Sequence, residues 1–361
     1  MRILVTGAAG FIGHHLCLRF CRDAHSVVGL DNLNDYYSPA LKQARLDRMR
    51  GIPGFRFRRM DICDEEAVFT LFARERFTHV AHMAAQAGVR YSLENPLAYA
   101  RSNLYGFTVI LEACRRNGVE HLLFASSSSV YGTSARLPFA AEAGADHPVS
   151  LYAATKRSNE LCAHSYSSLY SLPATGLRFF TVYGPWGRPD MALFIFTRAI
   201  LEGRPIPLFN MGRQRRDFTY IDDAADAAAA LLAVPPRPDA ARRGAAQDLP
   251  TQAGPHDTAL PSDTPDPQRR PDVPDPSRSA APFRIYNIGA GRPAPLSELV
   301  AALEDCLGRR AEVELQARKP GDVDETWADC RPLRDIIAFA PRTPLKEGVA
   351  AFVAWYKEYY G

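Results

Sequence analysis

Short runs of apolar residues alternate with longer segments of helical periodicity through the first half of the chain. Each short run has the length and composition of a buried strand, whereas each longer segment repeats its apolar positions every three or four residues. A helix is also predicted from residue 39, because Ser38 is a favourable N-cap and Pro39 fits the first helical position. The predicted strands are residues 2–6, 26–31, 55–61, 78–83 and 121–126, and the other predicted helices are residues 11–22, 64–75 and 97–117.

Strands that alternate with helices predict a parallel sheet with helices on both faces. After about residue 177 the alternation weakens, and turn-forming residues cluster at 184–189 and 203–207. We therefore predict an α/β fold, a Rossmann-type doubly wound parallel sheet with a smaller α/β substrate-binding lobe. The sheet domain is expected to span residues 1–178 and the lobe mainly residues 179–361. A return of the chain from the lobe to the sheet is left open.

One segment of the second half differs from the rest. Residues 235–282 are crowded with Pro, Asp, Arg and Ala and have no apolar periodicity. Such a composition cannot bury enough surface to offset the entropy of ordering the chain. We predict a flexible surface insertion there, followed by another strand at residues 283–289.

Charge and cysteine content exclude several classes of function. The formal net charge of +3 is too small to indicate a nucleic-acid or membrane-surface partner, and no run of about 18 apolar residues predicts a membrane span. The seven cysteines are odd in number, scattered and without a CxxC pair, which is typical of free thiols in a cytoplasmic protein. His79 and His82 lie three residues apart in a predicted strand and point to opposite faces, so no metal site is predicted.

The strongest local motif follows the first predicted strand, where Gly7, Gly10 and Gly13 form a G-x-x-G-x-x-G pattern. Glycines at these positions permit a tight turn and a close approach of a pyrophosphate to backbone N–H groups at a helix N-terminus. Asp31 ends the second predicted strand, where a carboxylate would bind the adenosine ribose hydroxyls and repel a 2′-phosphate. The motif therefore predicts that the sheet domain binds NAD rather than NADP.

A second motif pairs Tyr152 with Lys156, whose spacing of four places both side chains on one face of a helix. The ammonium group is expected to lower the pKa of the phenol from about 10 toward neutrality, so that the phenolate can accept a proton. Ser126 to Ser129 end the fifth predicted strand. The glycine pattern, the Y-x-x-x-K pair and this serine run together resemble the extended short-chain dehydrogenase/reductase superfamily. The resemblance implies that Tyr152, Lys156 and Ser127 are catalytic, with Ser127 bonded to the reacting sugar hydroxyl.

The resemblance covers nearly the whole chain outside the insertion and implies further site residues. It implies that Arg216 holds the diphosphate of a UDP-sugar substrate and that Asp322 contacts its ribose. The residues expected to bind the cofactor are Gly7, Gly10, Phe11, Ile12, Gly13, Asp31, Asn32, Asp61, Ile62, Ala84, Ala85, Gln86, Asn103, Tyr152 and Lys156. The residues expected to bind the substrate are Ser127, Ser128, Ser129, Tyr152, Thr181, Arg188, Met191, Arg216 and Asp322.

Residues 31–37, 88–96 and 179–192 resemble in particular the UDP-glucuronate 4-epimerases of this superfamily. In UDP-glucose 4-epimerases an asparagine stands in place of Thr181, and the arginine at Arg188 is absent. A hydroxyl and a guanidinium suit a sugar carboxylate, which Arg binds through two parallel hydrogen bonds. The resemblance therefore implies a homodimeric isomerase that inverts C4 of UDP-glucuronate, giving UDP-galacturonate through a transient 4-keto sugar with NAD bound throughout.

Three alternative functions stay open. A UDP-glucose 4-epimerase would use the same catalytic residues on a neutral sugar. A UDP-glucuronate decarboxylase or a nucleotide-sugar dehydratase would usually have Asp or Glu in place of Ser128 and Ser129. A catalytically silent NAD-binding scaffold is disfavoured, because Tyr152, Lys156 and Ser127 are all intact.

Overall fold

The alternation of strands and helices expected for the first half of the chain is present in the computed structural model, which describes residues 1–133, 136–238, 275–317 and 323–361. Within these residues, strands β1 to β12 are Arg2–Thr6, Ser26–Asp31, Phe55–Arg59, His79–His82, His121–Ser127, Ala174–Phe179, Thr181–Tyr183, Ile206–Leu208, Arg215–Tyr220, Phe283–Ile288, Pro293–Pro295 and Val313–Leu315. Helices α1 to α12 are Phe11–Arg22, Pro39–Asp47, Glu65–Glu75, Tyr91–Glu94, Pro96–Tyr99, Gly106–Arg116, Leu151–Tyr170, Ala192–Leu201, Ile221–Leu232, Leu296–Leu307, Arg331–Ile337 and Leu345–Tyr360.

The main sheet contains seven parallel strands in the order β3–β2–β1–β4–β5–β6–β10. Strand β10 lies far along the chain and pairs with β6, so the chain returns to the sheet after passing through the lobe. The strand order reverses between β1 and β4, and this switch point opens a crevice at the carboxyl ends of the strands. The predicted fold class is confirmed, whereas the boundary near residue 178 stays a prediction.

Helices cover both faces of this sheet. On one face, Phe20 of α1 and Leu231 of α9 are buried in one apolar cluster with the inward side chains of β1. On the other face, Phe72 of α3, Ile110 of α6 and Ala163 of α7 are buried in a second cluster. Each large apolar side chain buried in this way contributes about 1.5–3 kcal/mol relative to exposure. The two clusters fix the sheet between its helices and hold the crevice open at one edge.

A smaller lobe adjoins this sheet. Its strands β7, β9 and β11 form a mixed sheet, in which β7 pairs with β9 in parallel and β11 pairs with β9 antiparallel, and β8 pairs with β12. Its core contains Phe194 of α8, Leu299 of α10 and Phe352 of α12.

Two local predictions differ from the structure. The helix expected over residues 97–117 is present as a continuous helical segment, but a π-helical turn at Ala100–Tyr105 lies between α5 and α6. Gly106 follows this turn at a close approach, since a Cβ there would lie 2.7 Å from Cδ1 of Ile62. Ser38 precedes α2 as expected, but its side chain makes no capping hydrogen bond.

The predicted insertion is only partly within the described residues, because residues 239–274 lie outside them. Its last eight residues lie along β10, where the Ile285 amide donates to the carbonyl of Ser277 over 2.8 Å. Within the described part of the chain, no helix has both the length and the apolar character needed to cross a membrane.

Candidate active site

A cleft at the carboxyl ends of the sheet strands runs between the sheet and the lobe. It gathers residues that are far apart in the sequence, from the turn after β1 to the loop after β7. Of the residues predicted for the site, those that line it are Gly7, Gly10, Phe11, Ile12, Gly13, Asp31, Asn32, Asp61, Ile62, Ala84, Ala85, Gln86, Ser127, Tyr152, Lys156, Arg188 and Met191.

The glycine turn between β1 and α1 has no space for larger side chains. Gly7 has a φ of +70°, and a Cβ there would lie 2.8 Å from the amide nitrogen of Ala84. A Cβ at Gly13 would lie 2.1 Å from the carbonyl oxygen of Gly7. The N-terminus of α1 therefore faces the cleft with no side chain in front of its N–H groups, which suits the diphosphate of a dinucleotide.

The carboxylate of Asp31 lies at the end of β2, beside the glycine turn. Its oxygens accept hydrogen bonds from the amides of Ala9 over 3.1 Å and Leu33 over 2.8 Å. Asn32 donates to Asp61 over 3.3 Å, which joins the ends of β2 and β3. These acceptors fit the hydroxyls of an adenosine ribose, so the residues on this side of the cleft fit NAD.

Tyr152 and Ser127 meet at the opposite side of the cleft. The side chain of Ser150 accepts a hydrogen bond from the amide of Ala153 over 3.1 Å and so caps the first turn of α7, which contains Tyr152. Ser127 ends β5 and hydrogen-bonds Tyr152. Burial raises the pKa of Tyr152, whereas the positive charge of Arg188 and the bond from Ser127 lower it.

Lys156 lies one helical turn beyond Tyr152, but its ammonium group donates to the carbonyl of Ala125 over 2.8 Å. Burial lowers the pKa of Lys156 to about 8. The net pKa of the Tyr152 phenol is raised in this structure, and the positive charge that offsets part of the effect of burial is that of Arg188, whereas the sequence had suggested Lys156.

A buried ion pair supports the strand end that carries Ser127. Glu160 of α7 accepts hydrogen bonds from Arg178 over 2.8 and 2.9 Å and from Ser126 over 2.6 Å. Both charged side chains are almost completely buried, so losing Glu160 would leave the guanidinium of Arg178 as an unpaired buried charge. The pair fixes the relative positions of β5, β6 and α7, and no sequence motif indicated it.

Arg188 approaches the cleft from the loop after β7. Its guanidinium donates to Asp190 from Nε over 3.0 Å and from Nη2 over 2.5 Å, and the hydroxyl of Tyr36 also donates to Asp190. Thr181 lies nearby in a smaller apolar pocket that Arg188 and Met191 also line. The predicted carboxylate-binding residues are thus close together, but Arg188 is already paired.

Comparisons with known proteins agree with this geometry. The sequence profile of the NAD dependent epimerase/dehydratase family matches residues 3–242. The chain belongs to the NAD-dependent epimerase/dehydratase family. The prediction of NAD as cofactor is confirmed for this family, which is NAD-dependent by definition.

Several members of this family match the chain along nearly its whole length. An uncharacterized 37.6 kDa protein of Escherichia coli O111:H- is 51% identical over 100% of this chain and 99% of its own. UDP-glucuronate 4-epimerase 4 of Arabidopsis thaliana is 43% identical over 99% of this chain and 76% of its own. The crystal structure of UDP-glucuronic acid 4-epimerase from Bacillus cereus, in complex with UDP-glucuronic acid and NAD, superimposes with a TM-score of 0.80 at 30% identity, covering 100% of both chains.

Five other predicted residues do not belong to the cleft lining: four lie elsewhere in the described fold, and one lies outside the described residues. Ser128 and Ser129 are half-buried in a 3₁₀ turn directly after β5. Asn103 lies behind the cleft, where it bonds both backbone groups of Gln86 over 2.8 and 3.0 Å. Arg216 donates to the carbonyl of Asp324 over 3.1 Å. Asp322 lies outside the described residues.

Sequence reasoning missed two basic side chains of α2 beside the glycine turn. Lys42 lines the cleft and donates to the backbone and the side chain of Asn34, each over 2.6 Å. Arg45 is completely buried and donates to carbonyl groups of the glycine turn and of the loop before Arg188. The helical period of α2 places Lys42 and Arg45 on its buried face, and two basic residues on a buried face could have indicated a role for them.

The two histidines of β4 have partners other than a metal ion in the described part of the chain. His82 bonds Thr6 over 2.9 Å, and burial lowers the pKa of His82 to about 3. His79 lies on the other face of β4, with its ring 6.4 Å from that of His121. Among the described residues, no group of three or more His, Cys, Asp or Glu side chains is arranged to hold a metal ion.

Proposed function

We propose that the protein is an NAD-dependent epimerase that inverts C4 of UDP-glucuronate to give UDP-galacturonate. The observation that carries the proposal is the joint placement of Tyr152, Ser127 and Arg188 along one cleft. A proton acceptor, a hydroxyl and a guanidinium are the groups that oxidation of a sugar hydroxyl near a carboxylate requires. The Arabidopsis and Bacillus relatives, which are UDP-glucuronate 4-epimerases, support the same assignment.

In this proposal Tyr152 accepts the proton of the C4 hydroxyl and later returns it. Ser127, which bonds Tyr152, orients the sugar hydroxyl toward the phenolate. NAD held by the glycine turn and Asp31 would supply a reversible hydride acceptor for C4, so the overall reaction would involve no net oxidation. Arg216 holds the diphosphate while the oxidised sugar turns, and Asp322 contacts the ribose.

The serine run favours epimerisation over decarboxylation. A ketone at C4 is β to the C6 carboxylate, and such an acid loses CO₂ when the carboxylate aligns with the carbonyl π system. Ser128 and Ser129 can donate hydrogen bonds to the carboxylate but cannot act as a carboxylic acid or base near pH 7. Asp31 and Asp61 of the cleft lining lie at the ends of other strands, and Asp190 is paired with Arg188, so none of these carboxylates lies in this run.

Purified protein incubated with UDP-glucuronate labelled with ¹³C at C6, without added NAD, tests the proposal. We expect proton NMR to show UDP-galacturonate as the dominant product, with labelled CO₂ at trace level. Labelled CO₂ that appears faster than UDP-galacturonate would identify a decarboxylase. Conversion of UDP-glucose alone, with UDP-glucuronate unchanged, would identify a UDP-glucose 4-epimerase.

We also propose that the protein is a cytoplasmic homodimer. All seven cysteines are free, as is usual in a reducing compartment. Leu161 and Leu169 of α7 are 57% and 71% exposed, and Tyr105 at the end of the π-helical turn before α6 is 49% exposed, which suits an interface. Light scattering should give the mass of two chains, and a monomer mass at micromolar concentration would contradict the dimer.

A further inference from the structure

Asp190 already binds Arg188 in the way expected of a sugar carboxylate. Its two oxygens accept hydrogen bonds from Nε and Nη2 of the guanidinium over 3.0 and 2.5 Å. This two-point pairing is the strongest geometry that Arg offers a carboxylate. A uronate that reaches Arg188 would therefore meet a guanidinium whose Nε–Nη2 edge is taken.

The pair is held from both sides of the cleft and is not a loose surface contact. The Tyr36 hydroxyl, from the loop after β2, donates to Asp190 over 3.1 Å, and the Tyr36 ring packs on Tyr91 with ring centroids 4.8 Å apart. A Cβ at Gly88 would lie 2.5 Å from that hydroxyl, so the loop after β4 closes against it. The side chains of Arg188 and Asp190 are only 23% and 32% exposed.

We propose that Asp190 weakens the grip of Arg188 on the substrate carboxylate, and thereby lets the oxidised sugar turn between the two hydride transfers. The inference rests on the proposed function. Inversion at C4 requires the enzyme to present both faces of one ring to a fixed hydride donor. A carboxylate held through two hydrogen bonds by an uncompensated arginine would resist that movement. Asp190 repels the substrate carboxylate and leaves only the remaining N–H groups of Arg188 to bind it.

This role differs from that of a residue that merely orients Arg188. An orienting residue would strengthen uronate binding, so its loss would weaken it. A compensating residue has the opposite effect on affinity, because its loss leaves Arg188 with an unbalanced positive charge. The two roles therefore predict changes of opposite sign in the dissociation constant of UDP-glucuronate.

Calorimetry on protein with NAD bound tests the sign, with Tyr152→Phe in every sample to prevent turnover. We expect Asp190→Asn to bind UDP-glucuronate on the order of tenfold more tightly. The variant lacks the negative charge that shares the Arg188 guanidinium with the substrate carboxylate, so the contact between Arg188 and the substrate becomes stronger. UDP-glucose should bind as before within about twofold, since it has no carboxylate. In the active background, Asp190→Asn should lower both kcat and KM for UDP-glucuronate.

Matched variants make the result specific. Asp190→Glu keeps the charge and should retain the affinity of the unmodified protein. Glu202→Gln removes a carboxylate from the exposed Arg198–Glu202 pair and should change neither constant. If Asp190→Asn does not fold, as judged by circular dichroism, Asp190→Ser replaces it in the same measurement.

Weaker or unchanged binding of UDP-glucuronate by the Asp190 variant overturns the inference and leaves the proposed function intact. The proposed function fails separately if the unmodified protein does not convert UDP-glucuronate in the NMR assay. The two failures are distinguishable, because they are detected by different measurements. The inference is tested by the dissociation constant of a variant, and the proposed function is tested by the turnover of the natural protein.

Discussion

The two walls of the cleft are built in different ways. The wall that suits NAD consists of short segments at strand ends, where Gly7, Gly13 and Asp31 are positioned by the backbone of β1, α1 and β2. The wall around Arg188 depends on contacts between residues far apart in the chain, such as the bond from Tyr36 to Asp190. The comparison teaches that each group that faces the cofactor is positioned by its own strand end or turn, whereas the groups that face the sugar are positioned by tertiary contacts.

The largest expected effect lies where the two walls meet. Tyr152→Phe should lower kcat for UDP-glucuronate by a factor of about 10²–10⁴, the usual contribution of a positioned acid–base group. Binding should change little, because the diphosphate and carboxylate contacts remain. Initial rates measured by NMR provide the check, with Tyr170→Phe at the exposed far end of α7 as the control. Near-normal turnover of the Tyr152 variant would remove this residue from the mechanism.

Arg45 joins the two walls and carries the next largest expected effect. Its guanidinium donates to Ala9 in the glycine turn over 2.8 Å and to Trp186 and Gly187 over 2.7 and 3.1 Å. Arg45→Met leaves these buried carbonyl groups without a donor. We expect the free energy of unfolding to fall by about 2–4 kcal/mol and NAD to be retained less well.

Urea denaturation and the NAD content of the purified variant measure these two effects of Arg45→Met. Arg50→Met is the control, because Arg50 pairs with Asp47 at the surface. If Arg45→Met lost stability but kept its NAD and its turnover, the two walls would be independent of each other.

The same contrast explains how much could be predicted from the sequence. The glycine pattern, Asp31 and the Tyr152–Lys156 pair are readable because turn geometry and helix period fix their positions. The Arg188–Asp190 bond lies within one short segment, but its support from Tyr36 comes from 154 residues away. The bond from Lys156 to Ala125 also depends on how α7 packs on β5, which no spacing in the sequence reveals.

A substitution of Arg188 tests whether the second wall of the cleft selects the charged substrate. Arg188→Ala should reduce kcat/KM for UDP-glucuronate about tenfold more than for UDP-glucose, since one charge-assisted hydrogen bond contributes about 1.5–3 kcal/mol. The effect stays moderate because Asp190 already uses the stronger edge of the guanidinium. Parallel kinetics on both sugars measure the ratio. Equal losses for both would mean that Arg188 holds the loop and does not select the uronate.

The smallest expected effect is a change in stability with pH at Lys156. Its pKa in the folded protein is about 8, below that of an unfolded lysine at about 10.4. The protonated side chain therefore costs stability near pH 7, and this cost disappears as the pH rises from about 8 to about 10. Lys156→Met removes the cost but also the hydrogen bond to Ala125, so the net gain near pH 7 should be only about 1 kcal/mol.

Denaturation of the Lys156→Met variant at several pH values should thus give a stability curve that crosses that of the natural protein between about pH 8 and 10. The matched control is Lys357→Met, because Lys357 donates to the carbonyl of Cys306 over 3.3 Å at the exposed end of α12. A constant difference between Lys156→Met and the natural protein across this range would show that Lys156 is not perturbed by burial. A crossing shared by the control would assign the effect to lysines in general. A crossing confined to Lys156 would place the cost of a buried charge beside Tyr152, at the junction of the two walls.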